Sequence, residues 1–311
     1  MRKKIAFFTI ATTLLLFGEI RDKNIAPQNP QPMHIKILDQ KELKFKKIDN
    51  RPFVEISDLA YDKNTSTLYM ISDKGSLFGF ATDFNETIEK LTPLYGVKLT
   101  KKNGGKLKTT DAEGLALHPT KGLLVSFEKH PTIANFDTNG HLKERYKLPP
   151  LLRDIHHYRG RNKGLESLAY HPTYGILTAT EFPLKGMPEA RQAIYSLNRQ
   201  VWHFSPQPYK KNGITALEVM KDGNVLVLER AKQGINNFIV TLKKIYLDRC
   251  DHSECQSQIL AILDSSHGFK IENFEGLAHI SGDRFVMISD DSSSSFQKTI
   301  LVYFEVLPTA R

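Results

Sequence analysis

Several signatures that would assign a function directly are missing from this 311-residue chain. It has no Gly-x-Ser-x-Gly elbow and no glycine-rich loop ending in Gly-Lys-Ser/Thr, so neither a serine esterase of that type nor a P-loop nucleotide enzyme is expected. Histidine acid phosphatase and cysteine phosphatase signatures are also missing. Because no helix-turn-helix, zinc-finger or aromatic RNA-binding signature is found either, we expect no nucleic-acid partner.

Cysteine is scarce, with Cys250 and Cys255 the two in the chain. They flank a polar turn between strand-like segments at residues 238–247 and 259–263. In an exported protein such a pair most simply forms a local disulfide that pins the end of a hairpin. A metal site that includes His252 is the alternative, but zinc usually needs four ligands and no second cysteine pair exists.

The apolar run near the amino terminus is too short to span a bilayer, which takes about 20 residues. It covers residues 5–17 and follows Arg2, Lys3 and Lys4, as in a secretory signal. We therefore expect residues 1–18 to be a signal peptide. An uncleaved anchor is the alternative, because Leu16 suits the cleavage site poorly.

Export predicts a periplasmic or secreted protein whose membrane contact, if any, is made through the amino-terminal segment. We expect residues 19–32, with three prolines, to form a flexible lead-in, and residues 33–311 to form one folded domain. We expect the protein to be a monomer. The net charge of +9 favours anionic partners, although charge that only aids solubility is the alternative.

A five-residue phrase recurs at intervals of roughly 50 to 60 residues. Full copies begin at Glu113 (EGLAL), Glu166 (ESLAY) and Glu275 (EGLAH), and weaker copies begin at Ser57 and Thr215. Each copy leads through a turn into a second apolar strand that ends in an acid, namely Asp73, Glu128, Glu181, Glu229 and Asp290. Repetition of a strand, turn and strand at this period predicts an all-β, radial architecture, and we expect a single β-propeller.

We expect six blades, five from the repeats and one assembled from the remaining strand-like segments. Those segments are residues 34–47 and 299–304. Pairing of the amino-terminal and carboxy-terminal strands in one blade would close the ring and remove sheet edges.

Four stretches of the chain resemble the phytase-like family, whose domain is described as esterase-like activity of phytase. They are residues 111–116 (DAEGLA), 162–169 (NKGLESLA), 223–230 (GNVLVLER) and 273–278 (NFEGLA), the last followed by Ser289-Asp290-Asp291. The resemblance covers roughly residues 50–305. It implies an exported β-propeller and hydrolysis of phosphate esters, with phytate or another small anionic phosphorylated compound as substrate.

The repeated glutamates predict a cation site. The innermost strand of each propeller blade lines the central channel, so Glu113, Glu166 and Glu275 are expected to converge there. Carboxylates at close range raise one another's pKa unless a cation relieves them, and Ca²⁺ is the expected cation because it prefers oxygen ligands. The expected ligands are Asp58, Asp111, Glu113, Glu166, Glu275 and Asp290. Such a cation can polarise phosphorus and activate water, with the three glutamates taking part in catalysis.

A structural role is the alternative for these acids, because a strand-end carboxylate can accept backbone N–H groups and lock neighbouring blades together. For Glu113, Glu166 and Glu275 both interpretations stay open. We favour the structural one for the acids that end the second strands, Asp73, Glu128, Glu181 and Glu229.

Residues 153–163 form the most basic segment and lead directly into Glu166. We expect four of its cations to bind substrate phosphate, namely Arg153, Arg159, Arg161 and Lys163. His157 is a candidate general acid, and Arg230 is a second phosphate-binding candidate. A solvated loop, and for Arg230 an ion pair between blades, are the alternatives.

Three functions fit these features. The first is a cation-dependent phosphoesterase, the second a non-catalytic propeller that binds a ligand or an envelope protein, and the third a Ca²⁺-dependent hydrolase of the lactonase type. Whether the protein is an enzyme stays open at this point.

Overall fold

The computed structural model describes residues 19–28, 30–160, 163–234, 237–294 and 296–308. Within these ranges the fold is all-β, with 23 strands, one short α-helix and two 3-10 helices. The predicted leader, residues 1–18, lies outside the described residues. None of the helices in the described ranges has the length and apolar character that a bilayer crossing requires.

The amino-terminal region contributes four strands, β1 Glu19–Asp22, β2 Ile35–Lys44, β3 Lys47–Ile48 and β4 Arg51–Pro52. In place of the predicted flexible lead-in, β1 pairs with β2, and Ile25 is fully buried. The backbone N–H of Ile25 donates to Gln40 Oε1 at 2.6 Å, and its carbonyl accepts from Lys270 N at 2.8 Å. An apolar side chain and two hydrogen bonds therefore hold this segment on the domain.

Four antiparallel units of four strands follow in chain order, and in each unit successive strands are neighbours. Blade 1 contains β5 Ile56–Asp62, β6 Thr67–Ser72, β7 Ser76–Phe84 and β8 Ile88–Lys98. Blade 2 contains β9 Ala112–His118, β10 Gly122–Phe127, β11 Thr132–Phe136 and β12 Leu142–Tyr146. Blade 3 contains β13 Leu165–His171, β14 Gly175–Thr180, β15 Gln192–Ser196 and β16 Val201–Phe204. Blade 4 contains β17 Asn212–Val219, β18 Val225–Gly234, β19 Asn237–Asp251 and β20 Glu254–Asp264.

Helical turns precede blades 3 and 5. The helix α1 Pro150–Arg153 and the 3-10 helix Ile155–His157 lie between β12 and β13, and the 3-10 helix Ser265–His267 follows β20. Blade 5 contains β21 Asn273–Ser281, β22 Arg284–Asp290 and β23 Ile300–Val306, and it is completed by β2 and β1.

The first strands of the blades, β5, β9, β13, β17 and β21, pack side by side, and β21 returns to β5. The described residues therefore form a closed ring of five blades, which is the arrangement of a β-propeller. The expectation of six blades is corrected, because the terminal segments complete the fifth blade and do not make another. The predicted pairing of the termini is present: β2 runs antiparallel to β23, with Ile35 opposite Val306.

The apolar core lies between the blades as five clusters, one for each pair of neighbours. Side chains of a strand alternate between its two faces, and the repeated phrase uses that alternation. In blade 2, Leu115 packs toward blade 1 and Ala116 packs toward blade 3. Gly114 lets blade 3 approach closely, because a Cβ at this position would lie 2.8 Å from Leu168 N. The predicted turns between first and second strands are also present, and Gly122 and Gly223 adopt φ of 106° and 81° in them.

The outer strands of blades 3 and 4 meet through one parallel bridge, between His203 of β16 and Glu254 of β20. Just beside it, Cys250 and Cys255 form a disulfide across the β19–β20 hairpin. The predicted disulfide is thus present in the structure, and it removes the metal alternative because both sulfur atoms are bonded to each other.

Candidate functional site

Each repeat places the first residue of its phrase at a β-bulge in the innermost strand. The bulged residues are Ser57, Glu113, Glu166, Thr215 and Glu275. A bulge adds one residue without a partner in the ladder and changes the direction of its side chain. All of these residues except Thr215 line one cavity at the mouth of the channel. The repeat therefore brings the three glutamates together.

The second strands bring more carboxylates to the same mouth, because they run antiparallel to the first strands and end beside their starts. The cavity has a volume of about 190 Å³ and is lined by seven acids: Asp73, Glu113, Glu128, Glu166, Glu181, Glu275 and Asp290. Lys163 and Arg230 are the cationic residues of its lining. We call this space the acidic cavity.

Two groups of three carboxylates have the spacing of a cation site. Oxygen atoms of Asp111, Glu113 and Glu128 lie within 4.8 Å of one another, and so do those of Glu128, Glu166 and Glu181. We call these groups the two triads, and Glu128 belongs to both. Asp111, Glu113 and Glu166 are among the predicted ligands, whereas Glu128 and Glu181 are not. The antiparallel pairing of first and second strands was the signal that could have placed them here.

Glu113 and Glu166 are half-buried and line the acidic cavity, and no hydrogen bond or ion pair to their carboxylates is found among the described residues. Burial raises the pKa of Glu113 well above its ordinary value, and Glu275 and Glu128 add to the effect by like-charge repulsion. Burial likewise raises the pKa of Glu166, with Glu181 adding to it. Among the described residues, these two carboxylates therefore have no structural partner.

The remaining cavity acids include two whose pKa lies near neutrality. Burial raises the pKa of Glu128 to about 7, although the backbone N–H of Gly164 donates to it at 3.2 Å. Burial and the repulsion of Asp290 raise the pKa of Glu275 to about 8, although Arg230 lowers it. A cation held by the triads would favour the ionised form of Glu128, which belongs to both of them.

Arg230 lies inside the acidic cavity. Its Nη2 is 3.0 Å from Glu275 Oε1 and 3.8 Å from Glu181 Oε1. Glu275 also accepts from Asn273 Nδ2 at 2.8 Å, which orients its carboxylate. The Nε of Arg230 is buried and has no hydrogen-bond partner among the described residues. Arg230 thus forms ion pairs between blades, and its enclosed Nε–H is left without an acceptor among the described residues.

Asp58 and Asp290, both predicted ligands, have different surroundings. Asp290 lines the cavity outside the triads and accepts from the backbone N–H of Ser292 at 2.7 Å. Asp58 is fully buried away from the cavity lining, and its oxygens accept the N–H groups of Leu59 (2.8 Å), Leu115 (2.7 Å) and Leu277 (3.0 Å). We therefore correct the assignment of Asp58 from cation ligand to a link between blades 1, 2 and 5.

A basic groove of about 1440 Å³ lies on the same face. Its charged and imidazole side chains are Lys129, His130, Arg153, Asp154, His156, His157 and Lys185. Arg153 therefore lies where a phosphate could be bound. His157 lines this groove and not the acidic cavity, and its Nδ1 is 2.9 Å from the carbonyl oxygen of Leu151.

The other residues of this segment that were predicted to bind phosphate have different surroundings. Arg159 donates from Nε to the carbonyl of Pro183 at 2.7 Å and from Nη2 to that of Met187 at 2.6 Å. Its guanidinium therefore fastens two loops together, which corrects its assignment to the substrate. Lys163 lines the acidic cavity and contacts Glu181. Arg161 lies outside the described residues.

Glu229 has the structural role predicted for its series. It is fully buried and forms an ion pair of 2.8 Å with the equally buried Lys243, and it accepts from Gln207 N at 2.8 Å and Asn212 Nδ2 at 2.7 Å. Asp73, Glu128 and Glu181 instead reach the acidic cavity, so the structural interpretation does not describe their position fully.

A family model described as "Phytase-like: Esterase-like activity of phytase" matches residues 51–292. No curated protein matches the chain. Among solved structures, the PQQ-bound aldose sugar dehydrogenase of Streptomyces coelicolor is similar at 11% identity and a TM-score of 0.46, with 87% of this chain and 97% of that chain covered. Virginiamycin B lyase of Staphylococcus aureus is similar at 8% identity and a TM-score of 0.43, with coverage of 94% and 100%. These two similarities carry no functional argument.

Proposed function

The chain belongs to the phytase-like family, and from this premise we propose that it is an exported, cation-dependent hydrolase of phosphate esters. The observation that carries the proposal is the pair of triads that share Glu128, next to a basic groove. The triads suit a hard divalent cation, and the groove suits the anionic groups of a small phosphorylated substrate such as phytate.

The donor set fits Ca²⁺ on chemical grounds. All five residues of the two triads offer carboxylate oxygens, and neither histidine nor cysteine is among them. Glu113 and Glu166 have carboxylates that the described part of the fold leaves without partners. A bound divalent cation would offset the charge of phosphate and make phosphorus more electrophilic.

The protein's own residues would bind and protonate the substrate. The guanidinium of Arg230 lines the cavity and can donate N–H groups to a phosphate oxygen there. With a pKa of about 8, Glu275 carries a proton near neutral pH. When water attacks phosphorus and the ester P–O bond breaks, this proton can pass to the departing alcohol oxygen, and the proton that the attacking water loses can return to Glu275. In this proposal Glu275 takes the general-acid role predicted for His157, because it lies in the cavity.

Export is part of the proposal. The disulfide between Cys250 and Cys255 supports an oxidising compartment, and the basic and apolar sequence of residues 2–17 supports a secretory signal. A periplasmic or secreted location would also suit Ca²⁺ binding at the millimolar concentrations found outside cells.

A direct assay tests the proposed reaction. Purified protein is incubated with phytate and with simple phosphate monoesters, in Ca²⁺ and in excess chelator, and released phosphate is measured. We expect release that depends on Ca²⁺ and falls by about tenfold or more in Glu166→Gln. Glu89→Gln, on an exposed strand position, serves as the matched control. Absence of chelator-sensitive release from every substrate would contradict the enzyme proposal.

One observation favours a second candidate, a propeller that binds phosphorylated ligands without turnover. Arg230, Lys129 and Lys163 already neutralise part of the carboxylate charge, so the site is compatible with anion binding alone. Binding of phytate without phosphate release, measured by calorimetry on the same samples, would support this candidate.

A further inference from the structure

Each triad is contacted by one lysine that reaches in from solvent. Lys129 Nζ contacts Asp111, and Lys163 Nζ contacts Glu181. The two lysine side chains are 51% and 40% exposed, whereas their carboxylate partners are 6% and 3% exposed. Solvent-accessible lysine side chains therefore contact buried carboxylates.

We propose that Lys129 and Lys163 are exchangeable occupants of the two triads, which a divalent cation displaces and which then bind the anionic group of the ligand. This inference rests on the proposed function and concerns the order in which its site is filled: the cation first and the anion second.

The buried carboxylates explain why the lysines remain until a cation arrives. Removal of one partner from a buried ion pair leaves an uncompensated charge, which is strongly unfavourable. A divalent cation removes that cost because it carries more charge and can contact all three carboxylates of a triad. An ammonium group and a cation on the same oxygen atoms repel each other, so the two are expected to compete.

The surroundings of each lysine indicate where it goes after displacement. Lys129 also lines the basic groove that contains Arg153 and Lys185. Lys163 lies above the ring of Phe182, with 5.1 Å between Nζ and the ring centroid, at the rim of the acidic cavity. Both ammonium groups would then add positive charge where phosphate is expected to bind.

Lys243 provides an internal contrast. Its ion pair with Glu229 is 1% and 0% exposed, and its Nζ also donates to the carbonyl of Ser205 at 2.8 Å. With both partners fully enclosed, this lysine has no route to solvent. Exchange is therefore a property of the two lysines at the triads and not of every buried ion pair in the protein.

Calorimetric titration of the chelator-treated, full-length protein with CaCl₂ tests the competition. We expect Lys129→Met and Lys163→Met each to bind Ca²⁺ about fivefold tighter or more, the lower end of typical coupling between sites. Lys121→Met is the matched control, because it removes a lysine–glutamate pair with Glu144 away from the cavity, and its Ca²⁺ affinity should not change. If a Met variant does not fold, the titration is made with Lys129→Gln or Lys163→Gln instead.

A second titration, with inorganic phosphate, tests the release of the lysines. In the native protein, the affinity for phosphate should rise when Ca²⁺ is present. This rise should be lost in the variant that combines Lys129→Met with Lys163→Met. Unchanged or weaker Ca²⁺ binding in both single variants overturns the inference, as does a complete lack of Ca²⁺ binding. Both titrations are made without turnover. Failure of the phosphate-release assay alone would therefore overturn the enzyme proposal and leave this inference standing.

Discussion

At the scale of single residues, the five bulge positions differ in whether their side chains form hydrogen bonds within the fold. Thr215 donates its hydroxyl to the carbonyl of Phe274 in the next blade at 3.1 Å, so this residue serves the fold. Glu113 and Glu166 at the equivalent positions have no such bond among the described residues. A side chain that is placed by the repeat but not used in packing is the best candidate for binding a ligand.

Substitution of Glu113 or Glu166 by Gln keeps the shape of the side chain and removes its charge. We expect the rise in melting temperature caused by Ca²⁺ to shrink in both variants, because weaker binding of a ligand gives less stabilisation at the same ligand concentration. Differential scanning calorimetry with Ca²⁺ and with chelator measures this rise. An undiminished rise in both variants would place the cation elsewhere.

Asp58 is expected to behave in the opposite way. Asp58→Ala leaves the N–H groups of Leu115 and Leu277 buried without an acceptor, at a cost of about 1–3 kcal/mol each. We expect the free energy of unfolding in urea to fall by about 3 kcal/mol or more. Asp83→Ala, at an exposed position of β7, is the control. A loss of Ca²⁺ binding with normal stability would restore Asp58 as a ligand.

At the scale of strands and blades, the repeated phrase and the acid that ends each second strand predicted the elements closely. The second strand that was predicted to end in Glu128 is β10, Gly122–Phe127, and its partner β9 begins at Ala112, next to Glu113. The alternation of apolar residues and the residue types of turns are local features, so strands and turns can be predicted from a single sequence. Which strand completes a blade depends on contacts between distant segments, and for that reason the number of blades was wrong.

The same distinction applies to the site. Convergence of Glu113, Glu166 and Glu275 followed from their equivalent positions. The partners of Arg159 and Asp58 could not be predicted, because they are backbone groups of other loops and blades. Glu128 shows an intermediate case: it accepts a hydrogen bond from the next blade, as predicted, and it also faces the cavity.

The disulfide is expected to stabilise the hairpin formed by β19 and β20. Cys250 and Cys255 enclose a short loop, for which loss of loop entropy in the unfolded chain is worth about 2 kcal/mol. We expect Cys250→Ser/Cys255→Ser to unfold at a correspondingly lower urea concentration, and reductant to have this effect on the native protein only. Equal stability of the two proteins under oxidising conditions would contradict the prediction.

At the scale of the whole molecule, one face combines an acidic centre with a basic rim, and this arrangement makes stability depend on pH. The folded-state pKa values of Asp290, Glu128 and Glu275 are raised to about 6, 7 and 8. Groups whose pKa is raised by folding stabilise the protein below their unfolded pKa. That contribution is lost as the pH rises through the folded values.

We therefore expect the melting temperature of the chelated protein to fall between about pH 5 and pH 8. Since a cation binds the ionised carboxylates, the stabilisation by Ca²⁺ should be larger at pH 8 than at pH 6. Calorimetry at constant ionic strength measures both trends. A larger effect of Ca²⁺ at the lower pH would argue against a carboxylate site.

The pairing of β2 with β23 also governs when the protein can fold. During synthesis, the strands of blades 1 to 4 leave the ribosome before residues 300–306 are made. Until then, the edge of β2 that pairs with β23 has unpaired N–H and C=O groups. Until then the ring has open edges, which are the usual starting points of misassembly. Folding is thus completed only by the last segment of the sheet, and a chain interrupted before it is expected to be captured by chaperones or proteases and not to persist as a partial propeller.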